Sequence, residues 1–153
     1  MKIRIEIDNQ ISEDEVVIRS RQLDERVSRI QKAVQEAADE GETLLVFGED
    51  KEYYLSLSKV LFFETEGSTV YAHTRDGMFA AHYRLYELED LLPHTFMRVS
   101  KSAILNVSCV YSITRSIASA CLVEFQDTHK QVYVSRYYYK PLRQQLEEKR
   151  KMI

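Results

Sequence analysis

The sequence predicts a mainly β protein with a few helices, in which a small strand-strand-helix segment precedes a strand-rich domain. Three observations carry that reading. From Thr43 onward the chain is a succession of short runs rich in β-branched and aromatic residues, which suit a pleated, half-buried surface. The first of these runs are separated by Gly48-Glu49-Asp50, Glu66-Gly67-Ser68 and Asp76-Gly77, and an Asp-Gly pair between two such runs is a hairpin signal. Helical periodicity is confined to three places: after Leu23, around Leu85 and after the last strand.

Taken in order, Ile3, Ile5 and Ile7 alternate with Lys2, Arg4, Glu6 and Asp8, the period of a half-buried strand, and residues 16–18 predict a second short one. The apolar positions then become Leu23, Val27, Ile30, Val34 and Ala37, one stripe of a helix, with Gly41 where that helix would stop. The stripe spans barely two heptads, short of the ~3 that a coiled-coil seam needs, and is assigned to packing on its own sheet. Strands are expected at 44–47, 53–57, 60–64, 69–74 and 78–83, and again at 97–99, 103–107, 110–114, 121–126 and 131–135. Between the two groups a helix turns Leu85, Leu88, Leu91 and Leu92 to one side and ends at Pro93. Proline is tolerated only in the first turn of a helix, so Pro141 predicts that the last helix begins within 138–140 and leaves Arg136 in the link before it. The division is therefore residues 1–42 and 43–153.

At 153 residues the chain is too short for a two-domain enzyme. No apolar run approaches the roughly 18 residues of a membrane span, and the N-terminus is unlike a signal peptide, so the expected location is the cytoplasm. Cys109 and Cys121 lie in apolar segments and are expected to be buried thiols rather than a disulfide. His73, His82, His94 and His129 are scattered, there is no Cys-x-x-Cys, and four glycines compose no phosphate-cradling loop. Neither Ser102 nor Ser135 lies in a nucleophile-elbow sequence, and the context of Cys109 offers no adjacent base. The sequence thus predicts neither an enzyme nor a metal site, no cofactor and no small-molecule substrate.

The formal net charge of -3 argues at first against a polyanionic partner. Its distribution argues otherwise. Residues 1–50 hold 7 basic and 13 acidic side chains, residues 51–93 hold 4 and 7, and residues 94–153 hold 10 and 4. Local rather than total charge sets the field at a surface. Within the basic segment, Arg98, Ser100, Lys101 and Ser102 sit at the end of one apolar strand, and Ser135, Arg136 and Tyr137 at the end of another. Such side chains contact phosphate oxygens, and an arginine pairs bidentately with guanine O6 and N7. Spacing alone weighs this evenly against ordinary solvated loop charges. Of Tyr137, Tyr138 and Tyr139, core packing with Leu142 is expected for two, while a tyrosine at the helix start could stack on sugars or donate to phosphate.

The run Leu61-Phe62-Phe63-Glu64-Thr65-Glu66-Gly67-Ser68-Thr69-Val70-Tyr71-Ala72-His73-Thr74, the helix Leu85-Tyr86-Glu87-Leu88-Glu89-Asp90-Leu91-Leu92, the stretch from Phe96 to Val107 and Val134-Ser135-Arg136-Tyr137 resemble, in that order and spacing, the LytTR DNA-binding domain of bacterial transcription regulators. The similarity runs from about Thr43 to Leu146. It implies an elongated arrangement of antiparallel β-sheets that inserts loops, rather than a recognition helix, into successive major grooves of promoter direct repeats. Residue by residue, it implies DNA contacts at the turn of Gly67, Ser68 and Thr69, at Ser100, Lys101 and Ser102, and at Arg136 with Tyr137 beside it, with Arg98 as a flanking phosphate contact. Asn106 matches the family's asparagine, and its place in or just after a strand favours a structural hydrogen bond. The family often has a histidine where this chain has Ser100 and a larger polar residue near Ser68.

The implied function is a sequence-specific DNA-binding transcription regulator of response-regulator-like type without a receiver domain. Its partner is double-stranded promoter DNA, bound as a homodimer or in pairs. Small stand-alone members of this kind include some held inactive by a membrane protein, and the acidic residues 1–42 are a candidate surface for that partner or for dimerisation. The competing reading is a protein-interaction module that kept the fold and lost DNA binding.

Overall fold

The computed structural model describes residues 1–39, 42–115 and 121–151. They form two compact units, Met1–Ala38 and Asp39–Ile153.

Helix α1 spans Glu25–Asp39, all but its last residue in the first unit. Its start is set by Asp24, whose Oδ1 accepts the Val27 N–H at 2.9 Å, the geometry of an N-cap. The helix therefore opens two residues after Leu23, and Gly41, its expected stop, lies outside the described residues. Neither of the two strands expected ahead of it forms. Residues 2–8 and 16–18 are not in strand conformation, and Ile3, Ile5 and Ile7 are 90, 81 and 92% exposed. Alternation records which face a strand would bury, but a strand exists only by hydrogen bonding to a neighbour. None of the described residues pairs with this segment.

Among the described residues the second unit contains ten strands, every one at an expected place. They are β1 (Thr43–Gly48), β2 (Lys51–Ser56), β3 (Phe62–Glu66), β4 (Thr69–His73), β5 (Met78–Ala81), β6 (Phe96–Ser100), β7 (Ala103–Asn106), β8 (Val110–Arg115), β9 (Cys121–Phe125) and β10 (Gln131–Val134). Seven form one antiparallel sheet in the order β2-β1-β5-β4-β3-β7-β6, and three form another in the order β10-β9-β8. The hairpins follow their turn chemistry. Glu49 and Asp50 both take positive φ in the two-residue β1–β2 turn, the requirement of a type I′ connection. Gly67, φ 62°, is the first central residue of the β3–β4 turn, where its lack of a Cβ removes the steric cost.

The larger sheet is covered on both faces. Phe62, Ala103, Leu105 and Val99 join Val123, Phe125, Val132, Val134 and Leu142 in one core. Phe63, Ile104, Val46, Val70 and Ala72 join Leu85 and Leu88 of helix α2 (Leu85–Leu91) in another. That is why strand β7, between β3 and the edge strand β6, is buried along its whole length. The α2 stripe is narrower than expected, since Leu91 is exposed. Cys121 is buried and Cys109 half-buried, and neither is in a disulfide.

Helix α3 runs Arg136–Lys151, beginning before the expected window and holding Pro141 in its second turn. Pro141 has no N–H for the Tyr137 carbonyl, so the helix lacks one bond of its ladder there. Packing compensates, because Leu142 is fully buried and Tyr138, Tyr139 and Leu146 pack against the same core. Arg136 is consequently the first helical residue, and the link to β10 is Ser135 alone.

Candidate nucleic-acid interface

The ends of β3, β6 and β10 bring three chain reversals to one end of the larger sheet. β3 pairs with β7 through Glu64 and Ala103, and the Thr65 N–H donates to the Ser102 carbonyl at 2.9 Å. The β3–β4 turn (67–68) and the β6–β7 turn (101–102) therefore project from the same edge. They lie two strand spacings apart, roughly 10 Å. Counted from the Glu64 register, the 67–68 tip reaches about two residues further, roughly 7 Å. Ser68 is exposed at that tip and Thr69 is half-buried at the start of β4.

A bulge shapes the second reversal. Arg98 pairs with Ile104 and Ser100 with Ala103, so Val99 is an extra residue in β6, and bulges of this kind re-aim the chain where pairing ends. The Val99 carbonyl accepts the Ser135 N–H at 2.8 Å, which ties the β10–α3 junction to the β6–β7 turn. Ser100 is buried, and its Oγ accepts the Ser102 N–H at 3.1 Å. The exposed groups of the turn are thus Lys101 and Ser102. Across from them Arg136 and Tyr137 open α3, with Tyr137 80% exposed while Tyr138 and Tyr139 turn inward. The expected split of the three tyrosines is the observed one.

Arg98 is not an open cation. Its Nε donates to the Ser100 carbonyl at 2.7 Å, one terminal nitrogen donates to the Lys101 carbonyl at 2.6 Å, and the other pairs with the Glu89 carboxylate of α2. The guanidinium holds the turn that carries Lys101. Asn106 is likewise internal: its amide donates to the Val60 carbonyl at 3.0 Å and its Oδ1 accepts the Ser108 N–H at 3.1 Å.

Between the turn and the helix start lies an open hollow of about 490 Å³, lined by Glu64, Ser100, Lys101, Ser102, Tyr133, Ser135, Tyr137 and Tyr138. It unites Ser100, Lys101, Ser102 and Tyr137; Ser68 and Thr69 belong to the neighbouring turn instead. Glu64 and Glu89 are the participants that sequence reasoning missed. Burial first, and Glu66 second, raise the Glu64 carboxyl above the ordinary carboxylate value. The available signal was strand period: Glu64 shares the β3 face of Phe62, where an apolar side chain is expected. Glu89 carried no such signal, because its partner is nine residues away on another element.

A family model described as the LytTr DNA-binding domain matches residues 50–147. The chain belongs to the LytTR family of DNA-binding domains. A solved LytTr DNA-binding domain from Bacillus cereus superposes with a TM-score of 0.62 at 27% identity, covering 69% of this chain and 98% of that one. The "uncharacterized HTH-type transcriptional regulator SAB2242" of Staphylococcus aureus strain bovine RF122 / ET3-1 is 30% identical over 146 residues, 95% of this chain and 98% of the relative. Its counterpart from strain MSSA476, SAS2254, is 29% identical over the same length. A helix-turn-helix needs two successive helices, whereas strands separate every pair of α-helices among the described residues of this LytTR chain. Lys101 sits on a turn and Arg136 at a helix start. No described helix is long and apolar enough to cross a membrane.

Proposed function

We propose that this LytTR chain is a sequence-specific transcription regulator that reads promoter direct repeats by inserting the 67–69 and 100–102 turns and the Arg136 helix start into the major groove. The observation that carries the reading is the gathering of Lys101, Ser102 and Tyr137 around one hollow, with Arg136 at the start of the same helix and the Ser68 turn projecting beside it. The roughly 10 Å separation of the two turns suits a groove about 12 Å wide. Arg136 is assigned to a guanine edge, Ser68, Thr69 and Tyr137 to flanking contacts, and Lys101 and Ser102 to phosphates. Arg98 is assigned to positioning the turn rather than to a phosphate. Catalysis has no part in this role, which belongs to the cytoplasm. Residues 1–42 are assigned to regulation, as the surface for a second copy or for an inhibitory membrane protein.

Selection of bound duplexes from random DNA, followed by titration of the winning site at several salt concentrations, tests this. A recovered direct repeat and a log-log slope of about -0.9 for each neutralised phosphate are expected. No enrichment and a flat response would instead favour a protein-interaction module on the LytTR fold.

A further inference from the structure

Among the described residues, every large exposed Ile and Val lies in the first 18 positions: Ile3, Ile5, Ile7, Ile11, Val16, Val17 and Ile18. The seven large hydrophobics exposed among the described residues of the second unit include five tyrosines, whose hydroxyls tolerate water. Aliphatic exposure of this density, in a segment with the period of a strand and no strand partner, is a surface awaiting a neighbour. Its charges identify which neighbour.

We propose that residues 2–8 pair antiparallel with the same residues of a second copy, about a two-fold axis through Ile5. In that register Lys2 faces Asp8, Arg4 faces Glu6, Ile3 faces Ile7 and Ile5 faces Ile5. All charges lie on one face with opposite signs across the strands, and all isoleucines lie on the other. No other antiparallel register does this. A shift of two residues in either direction sets Arg4 opposite Arg4 or Glu6 opposite Glu6. A shift of one sets isoleucines against charges, and parallel in-register pairing sets every charge beside its like. Like charges directly opposite destabilise a ladder and mixed faces expose its apolar side.

The competing neighbour within the chain is residues 16–18, and charge disfavours it. The two hairpin registers that pack Ile5 on Val16 or Ile18 bring Lys2 to Arg19 and Glu6 to Glu15, or Arg4 to Arg19 and Asp8 to Glu15. Arg4 and Glu6 already form an exposed ion pair within one copy, at 2.8 Å. Two copies would close it into a four-charge square. The interface is isologous, as two-fold symmetry requires. A bare two-stranded ribbon is marginal in water, and Val16, Val17, Ile18 and Leu23 of both copies supply apolar surface to cover its isoleucine face. The inference does not depend on DNA binding.

Sedimentation equilibrium of the full chain is expected to show a dimer. Arg4→Glu sets like charges opposite each other twice in the ribbon and should weaken dimerisation about tenfold. Glu6→Arg should do the same, and the double swap should restore the original affinity. With diamide as oxidant, Ile5→Cys should crosslink into a disulfide dimer, whereas Ile3→Cys, which faces Ile7, should remain at the background of the unsubstituted chain. A chain that sediments as a monomer, a double swap no better than either single change, or equal crosslinking at positions 3 and 5 would overturn the proposal.

Discussion

The Arg98 guanidinium joins the Glu89 carboxylate of α2 to the backbone of the β6–β7 turn, donating at 2.7 Å to the Ser100 carbonyl and at 2.6 Å to the Lys101 carbonyl. One planar group with a fixed fork of donors fixes the path of the segment that presents Lys101 and Ser102, a task the point charge of a lysine cannot perform. The arrangement makes an expectation whose sign is informative. Removing an acidic residue from a DNA-binding protein should tighten binding by simple electrostatics. If Glu89 acts through Arg98, Glu89→Gln should instead weaken binding about 2–5-fold, with little change in melting temperature because the pair is partly exposed. Titration of a labelled duplex decides between the two signs. Arg98→Ala should lower affinity without changing the salt slope, whereas a slope smaller by about 0.9 would make Arg98 a phosphate contact after all.

Arg136 and Lys101 should separate by the kind of loss they cause. Arg136→Ala is expected to cost on the order of 1–3 kcal/mol on the preferred site and little on random DNA. Lys101→Ala is expected to weaken both alike and to reduce the salt slope by about 0.9. Parallel titrations on the two duplexes at three salt concentrations read both effects.

Glu64 places a penalised negative charge in the hollow. Its carboxyl is raised by burial and then by Glu66, so its contribution to stability is present at low pH and is lost as pH rises through the raised value. Glu64→Gln should therefore raise the melting temperature at pH 7, with the gain shrinking towards pH 4. Removing one negative charge from the face proposed to meet DNA should also tighten binding on the order of fivefold. A lower melting temperature at pH 7 would show that Glu64 makes a favourable contact instead.

His73 should govern stability in mild acid. It stacks on Phe62 with ring centroids 4.3 Å apart, and its Nδ1 lies 3.3 Å from Lys130 Nζ, which also donates to the Gly77 carbonyl at 2.7 Å. Burial first and Lys130 second push the imidazole down to about 4 from 6.5. A depressed value means that the contribution is complete above pH 6.5 and declines as pH falls towards 4. Urea titrations at pH 7.5 and 4.5 are expected to show a loss on the order of 1–3 kcal/mol that His73→Gln abolishes.

Asn106→Ala should destabilise without altering DNA specificity. The substitution leaves the buried Val60 carbonyl without its amide donor and the Ser108 N–H without its acceptor. The expected cost is about 1–3 kcal/mol in urea unfolding. A changed preference among DNA sites would instead place Asn106 at the interface.

Much of this architecture was legible beforehand, for local reasons. Strands β1 to β10 announce themselves by β-branched runs and by turn residues such as Gly67 and the Asp76-Gly77 pair, whose conformational demands are met within a few residues. The failures were non-local. Residues 2–8 carry the pattern of a strand without the neighbour that would make them one. Pro141 suggested a later start for α3, but burial of Leu142 and packing of Tyr138 on the sheet hold the helix together across the missing hydrogen bond.

By itself the sequence determined the family, the strand-rich fold, the charge split and the residue types able to meet DNA, because each is written in neighbouring positions. The tertiary structure alone decided which of those residues face outward. It turned Ser100 inward, engaged Arg98 with two carbonyls and Glu89, and set Glu64 into the hollow beside Lys101. Those outcomes follow from a bulge at Val99 and from pairings between residues far apart in sequence, and such contacts exist only once the strands are packed side by side.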